Sequence, residues 1–233
     1  MRSLVRARAW RAWYRLRWWL VDRRALRRTR VQRVAGLELV VLPGVLDPAL
    51  FFSSEVLVEG VVAVVEPGAT MLDLGTGTGI AALAAARQGA ARVVATDVDA
   101  TALRCARANV ALHGLGERID VREGDMWQPV EGELFDVVAF NPPYQMGEHR
   151  DDLDRALRAT PDLATRFASG LAEHLSVGGC AVLVLSTNGD PDAYLGPLRD
   201  AGFAVRPLAT RDRGSETLTA WQVVRESPVQ PHP

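Results

Sequence analysis

Lysine is missing from this chain: all 27 basic residues are arginine. Spread over the whole sequence, that absence reads as codon bias and carries no functional argument. Cysteine is scarce. Cys105 and Cys180 are far apart, one in a predicted helix and the other in a predicted strand. Two buried free thiols in a reducing cytoplasm account for them, and a disulfide framework is excluded. His113, His149, His174 and His232 are scattered, and no Cys/His spacing matches a zinc site, so no metal centre is expected. His149 reads as a solvated loop histidine. No apolar run is long enough to span a bilayer. Arginine interrupts every apolar stretch near the N-terminus, which leaves no signal-peptide core. A cytoplasmic protein follows.

The formal net charge of −1 hides an asymmetry. Residues 1–33 hold twelve Arg and one acid, Asp22, whereas the other 200 residues hold 15 Arg and 27 acids. A basic arm precedes an acidic body. At 233 residues the expectation is one domain plus an extension. The divisions are an Arg/Trp-rich helical extension over 1–33, a domain over 34–226 and a Pro-rich disordered tail over 227–233.

Residues 3–30 read as a helix. Val31–Val34 and Leu37–Leu42, joined at Ala35-Gly36, read as a hairpin. Asp47-Pro48 reads as a helix start, with the helix running to about Val65. From there the pattern alternates. Strands are expected at Thr70–Leu74, Arg92–Thr96, Arg118–Arg122, Leu134–Phe140 and Ala181–Ser186. Helices are expected at Ile80–Gln88, Ala100–His113, Pro161–Leu175 and Pro191–Ala201. Phe203–Ala209 and Thr217–Arg225 follow with no helix between them. The fold class is α/β: a Rossmann-like, mainly parallel sheet with a C-terminal antiparallel hairpin and helices on both faces.

Asp73-Leu74-Gly75-Thr76-Gly77-Thr78-Gly79 follows the first strand of this series. A Gly-rich turn there lets a ligand approach the backbone closely. Asp97, with Val98 and Asp99 behind it, ends the next strand, where a carboxylate accepts hydrogen bonds from ribose hydroxyls. The third glycine of a dinucleotide fingerprint would fall at position 80, which is Ile80. Asp73 would repel a pyrophosphate but suits a ligand with an ammonium and a sulfonium. S-adenosylmethionine carries both. Asp125, in Gly124-Asp125-Met126-Trp127, is placed to accept from an adenine amino group, and Met126 or Trp127 offers a face for the ring. The cofactor-binding candidates are therefore Asp73, Gly75, Thr76, Gly77, Gly79, Asp97, Val98, Asp125, Met126 and Asn141.

Asn141-Pro142-Pro143-Tyr144 ends the strand Leu134–Phe140. Together with the glycine motif, Asp97 and Asp125, it resembles the class I S-adenosylmethionine-dependent methyltransferases that methylate amino groups, most of all the HemK-type glutamine methyltransferases. The resemblance runs from about Leu37 to Arg225. It implies N-methyl transfer to a planar amide or aryl amine: a protein glutamine, a nucleobase amine or an amide-like nitrogen in a metabolite. It also implies catalytic roles for Asn141, Pro142 and Tyr144. The Asn141 side-chain oxygen and the Pro142 carbonyl would accept the two N–H bonds of the target, and Tyr144 would supply an aromatic face. Both bonds strengthen as positive charge grows on nitrogen. The Pro142-Pro143 pair stiffens the loop.

Phe51, Ser54 and Glu55 match the family's cofactor-lining segment more loosely. The arm interleaves Trp10, Trp13, Tyr14, Trp18 and Trp19 with arginines. That composition suits packing on the domain, contact with nucleic acid, or docking on a membrane or partner. Two rival functions stand beside the methyltransferase: an NAD(P)-dependent oxidoreductase on a similar sheet, and a non-catalytic nucleic-acid-binding module. The acceptor (protein, RNA, DNA or small molecule) and the oligomeric state stay open at this level.

Overall fold

The computed structural model describes residues 28–143, 145–146, 158–160, 162–214 and 216–226. Residues 1–27 of the arm, Tyr144, His149 and the tail from 227 lie outside the described residues, and so do the expectations attached to them.

Strands β1 (Arg30–Val34) and β2 (Leu37–Val41) form the expected hairpin. Its turn residues, Ala35 and Gly36, have φ of 49° and 75°, the left-handed pair a two-residue hairpin turn requires. Arg30 opens β1 rather than closing a helix. Helix α1 spans Ser53–Val64, so it starts six residues after the expected Asp47. The reason is where Asp47 spends its carboxylate. It is fully buried and accepts from Gln32 Nε2 at 3.0 Å and Ala49 N at 2.9 Å, with Arg30 Nη1 at 2.8 Å. It ties the hairpin down and closes a single turn instead of capping a long helix.

Then follow β3 (Thr70–Leu74), α2 (Ile80–Gln88), β4 (Arg92–Asp97), α3 (Ala100–Leu112), β5 (Ile119–Glu123) and β6 (Phe135–Phe140). The two-residue strands β7 (Gln145–Met146) and β8 (Arg158–Ala159) pair with each other. Helix α4 (Leu163–His174) leads into β9 (Leu175–Ser186), α5 (Pro191–Asp200), β10 (Phe203–Asp212) and β11 (Thr217–Arg225). The seven-stranded sheet has the order β10-β11-β9-β6-β3-β4-β5. β5, β4, β3, β6 and β9 are parallel, and β11 runs antiparallel between β9 and β10. β9 begins six residues before the expected Ala181. Its register against β6 slips between Phe135 and Val137, and Gly178-Gly179 lie among the extra residues on the β9 side of that slip.

Side chains alternate between two cores, as the pleat demands. Met71, Val137, Ala139 and Val182 face α1, α2 and the hairpin. Leu72, Val138, Phe140 and Leu183 face α4 and α5. No described helix is long and apolar enough to cross a membrane. Chain order reverses between β3 and β6: one half continues to β4 and β5, the other to β9. A ligand crevice opens beyond the carboxyl ends of the strands at such a switch point.

Candidate functional site

A cleft of about 420 Å³ opens there. The glycine loop after β3, the Asp97 corner after β4, the Asp125 loop after β5 and the Asn141 loop after β6 all line it.

The glycine loop turns because Gly75, Gly77 and Gly79 all have positive φ, at 67°, 56° and 83°. Side chains there would be strained, and the bare backbone faces the cleft. Gly79 then starts α2. Beneath the loop Asp73 is 2% exposed, and its Oδ2 accepts from Thr76 Oγ1 at 2.6 Å and from Ala82 N at 3.1 Å. Burial, helped by the nearby Asp97 charge, pushes the Asp73 carboxyl up to about 6 against the pull of those two hydrogen bonds. Thr76 N donates to Thr96 O at 2.8 Å, which pins the loop to the end of β4. Asp97 completes this corner. Its Oδ2 accepts from Gly77 N at 2.9 Å and its Oδ1 from Asp99 N at 3.0 Å. A carboxylate has about four lone-pair sites, so two remain for ligand hydroxyls. Burial raises the Asp97 pKa. Asp99 caps α3 through Thr101 N at 2.7 Å.

Met126 is held at φ 52°, a left-handed conformation that strains a branchless side chain modestly and a branched one more. The packing below it sustains that conformation. Trp127 stacks between Phe167 and His174 and donates Nε1–H to Arg166 O at 3.0 Å. It sits so close to Gly170 that a Cβ there would lie 2.1 Å from the indole nitrogen. Trp127 thus belongs to the core, and Met126 is the residue of this pair that lines the cleft. Asp125 lines it too, paired with Arg166 of α4 at 2.5 Å.

Asn141 stands at the end of β6. Its Nδ2 donates to Ser53 Oγ at 3.0 Å, while its Oδ1 is buried and accepts from no described group. An unmatched buried acceptor is costly unless something donates to it. Pro142 is buried, and Pro143 lines the cleft with its carbonyl accepting from Tyr194 O–H at 3.0 Å.

The structure therefore brings Asp73, Gly75, Thr76, Gly77, Asp97, Val98, Asp125, Met126 and Asn141 to one cleft, together with Phe51 and Ser54. Gly79 sits one step behind, with the Ala106 backbone 3.4 Å from where its Cβ would be. Glu55 turns instead to Arg213, 3.8 Å away. Arg166 and Leu163, which line the cleft, and Tyr194, which holds the Pro143 carbonyl, escaped the sequence reading. Val45, Leu46 and Ser53 line it as well, and they belong to the stretches Leu42–Pro48 and Ser53–Glu55, which match the family's lining segment loosely.

Residues 37–196 match the family model described as methyltransferase small domain. A putative protein N5-glutamine methyltransferase from Methanocaldococcus jannaschii is 29% identical over 82% of this chain and 98% of its own length. The release factor glutamine methyltransferase of Geobacter sulfurreducens is 36% identical over 79% of this chain and 69% of its own. Against further relatives, a release factor enzyme and two ribosomal protein L11 methyltransferases, the chain spans between 24% and 54% of their length. The crystal structure of a ribosomal protein L11 methylase from Lactobacillus delbrueckii subsp. bulgaricus superposes with a TM-score of 0.57 at 23% identity, covering 76% of this chain and 80% of that one. The fold, the cleft at its switch point and these matches agree: the chain belongs to the methyltransferase small domain family and is a HemK-like, S-adenosylmethionine-dependent N-methyltransferase.

Proposed function

We propose that the cleft transfers the methyl group of S-adenosylmethionine to the side-chain amide nitrogen of a protein glutamine. The observation that carries this reading is Asn141 Oδ1: a buried acceptor, tethered through its own Nδ2 and with no described donor, is what an incoming amide N–H would satisfy. Bound S-adenosylmethionine would supply the electrophilic methyl carbon and a neutral thioether as leaving group, the chain would hold the amide nitrogen against it, and the surplus proton of the N-methyl amide would pass to water. The chain supplies orientation and electrostatics and no covalent nucleophile. Asp97 holds the ribose hydroxyls, and Asp125 with Met126 holds the adenine. The glycine loop lies along the nucleoside, and Asp73 supplies the negative charge for the cationic methionine end. Pro142 offers its carbonyl as a second acceptor, and Tyr144 an aromatic face.

Tritiated S-adenosylmethionine tests the substrate class. We expect label to enter a purified bacterial release factor and, in a cell extract, to be lost to protease but not to nuclease. Label lost to nuclease instead would replace glutamine by a nucleobase. Contact of the arginine-rich residues 1–27 with nucleic acid, and a cytoplasmic setting, are separate parts of this reading.

Asp73 makes cofactor binding depend on pH. A carboxyl with its folded pKa raised to about 6 stabilises the cofactor-free protein at low pH, and that contribution is lost as pH rises from about 4 through 6. The cationic cofactor prefers the ionised form, so binding drives a proton off. Calorimetry should find S-adenosylmethionine about tenfold tighter at pH 7 than at pH 5. The dependence should be weaker for S-adenosylhomocysteine, which lacks the sulfonium, and absent in Asp73→Asn. An equal pH dependence in that variant removes Asp73 from this role.

A further inference from the structure

The side-chain amide of Asn141 has two faces to offer. Turned one way it presents an acceptor to the cleft; turned the other way, a donor that would repel the N–H of an incoming amide. Among the described residues, Ser53 touches this choice directly, since its Oγ takes the Nδ2 hydrogen bond at 3.0 Å. Ser53 is the first residue of α1 and only 5% exposed, so its hydroxyl competes little with water for that bond. A hydroxyl can donate as well as accept, so Ser53 fixes the plane of the amide, and an N–H in the cleft then selects the orientation with Oδ1 inward.

On the other side of the loop, Tyr194 of α5 donates to the Pro143 carbonyl at 3.0 Å and is 5% exposed. Burial raises its pKa, which keeps it a donor at every working pH. The two contacts come from opposite faces of the sheet: α1 packs in one core and Tyr194 in the other. The loop between them is gripped from both sides.

We propose that Ser53 and Tyr194 are positioning residues for methyl transfer, clamping the Asn141–Pro143 loop so that the Asn141 amide is already held in the plane from which Oδ1 meets the target nitrogen. The proposal rests on the reading of Asn141 as the acceptor of the target's N–H. Ser53 lines the cleft, and the role assigned to it here runs through Asn141, as that of Tyr194 runs through Pro143. Their effect should appear in kcat, because a loosened loop lowers the fraction of bound complexes in a reactive geometry and leaves the cofactor contacts of the glycine loop and Asp97 intact.

Two measurements separate the clamp from the reading beneath it. Asn109, Asn141 and Asn188 are the sequence's three asparagines, so 15N-asparagine labelling gives three side-chain amide signals. Asn141→Ala identifies the signal of interest by deleting it. In Ser53→Ala that signal should shift and its protons exchange faster with water, while the Asn109 signal stays put; Ser53→Thr should restore it. An unmoved Asn141 signal in Ser53→Ala overturns the role of Ser53 with or without an acceptor in hand.

The kinetic arm uses methyl transfer to a purified bacterial release factor. Ser53→Ala should lower kcat roughly tenfold and Tyr194→Phe roughly threefold, with KM for S-adenosylmethionine unchanged. The double variant Ser53→Ala/Asn141→Ala should be no worse than Asn141→Ala alone, because the clamp acts through Asn141. Wild-type kcat in Tyr194→Phe removes Tyr194 from the clamp. An inactive Asn141→Ala beside a fully active Ser53→Ala sinks the clamp and leaves the site reading standing. A fully active Asn141→Ala sinks the site reading itself.

Discussion

Asn141→Ala should lower kcat by about 10²–10³-fold, the scale seen when one preorganised polar group facing a developing charge is removed. Calorimetric affinity for S-adenosylhomocysteine should stay within about threefold of wild type. The contrast between the two numbers is the content of the prediction. An amide nitrogen is a poor nucleophile because its lone pair is delocalised into the carbonyl. As it takes the methyl it gains positive charge, and an oxygen accepting its N–H gains in strength at that moment. Asn141 Oδ1 is such an oxygen: buried, unmatched, and tethered by Ser53 through the other end of its amide. Its contribution grows between ground state and transition state, so its loss falls on kcat. The cofactor keeps the glycine loop, Asp97 and Asp125, none of which depends on Asn141 for a hydrogen bond. Unchanged turnover would remove Asn141 from catalysis. Loss of turnover and cofactor affinity together would make it a cofactor ligand instead.

The sheet and the motif loops were legible because period and punctuation agree along the chain. From β3 to β6 each apolar strand ends in a residue cluster with its own chemistry, and parallel strands send all those ends to one edge. Asp73, Asp97, Asp125 and Asn141 could therefore be assigned to a common site without knowing a single distance. What could not be read was competition for a side chain. Asp47 looks like a helix cap, and Arg30 and Gln32, 17 and 15 residues upstream, claim its carboxylate. Trp127 looks like a face for adenine, and Phe167, His174 and the bare backbone of Gly170 bury it in the core. Ser53 and Tyr194 lie 88 and 51 residues from the atoms they hold, and nothing in a local pattern reports such pairs. The sequence also leaves open how the hairpin meets the domain, and part of the answer lies in a buried asparagine that no motif marks.

Replacing that residue, Asn109→Leu, should cost about 3–5 kcal/mol of stability, because three hydrogen bonds go and two backbone groups, Val40 N and Thr78 O, lose the partner Asn109 gives them. Asn109 is fully buried in α3. Its Oδ1 accepts from Val40 N at 2.7 Å, and its Nδ2 donates to Val40 O at 2.8 Å and to Thr78 O at 2.9 Å. One carboxamide thus satisfies both polar groups of a β2 residue and a carbonyl of the glycine loop. Leucine fills the volume and matches none of them, and of the three only the Val40 carbonyl keeps another donor, Cys105 Sγ at 3.2 Å. For a domain of this size each kcal/mol moves the melting temperature by about 2–4 °C, so the loss should be roughly 10–15 °C. Because Thr78 belongs to the glycine loop, the variant should also bind S-adenosylhomocysteine more weakly at temperatures where it is still folded. Asn109→Asp should be nearly as damaging, since a carboxylate keeps the bond from Val40 N and turns both donations into repulsions between oxygens. Thermal melts and calorimetry on the two variants check this. A melting point within about 2 °C of wild type in Asn109→Leu would mean that the hairpin relaxes away from the loop at little cost, and that its other contacts, those of Asp47 among them, hold the junction.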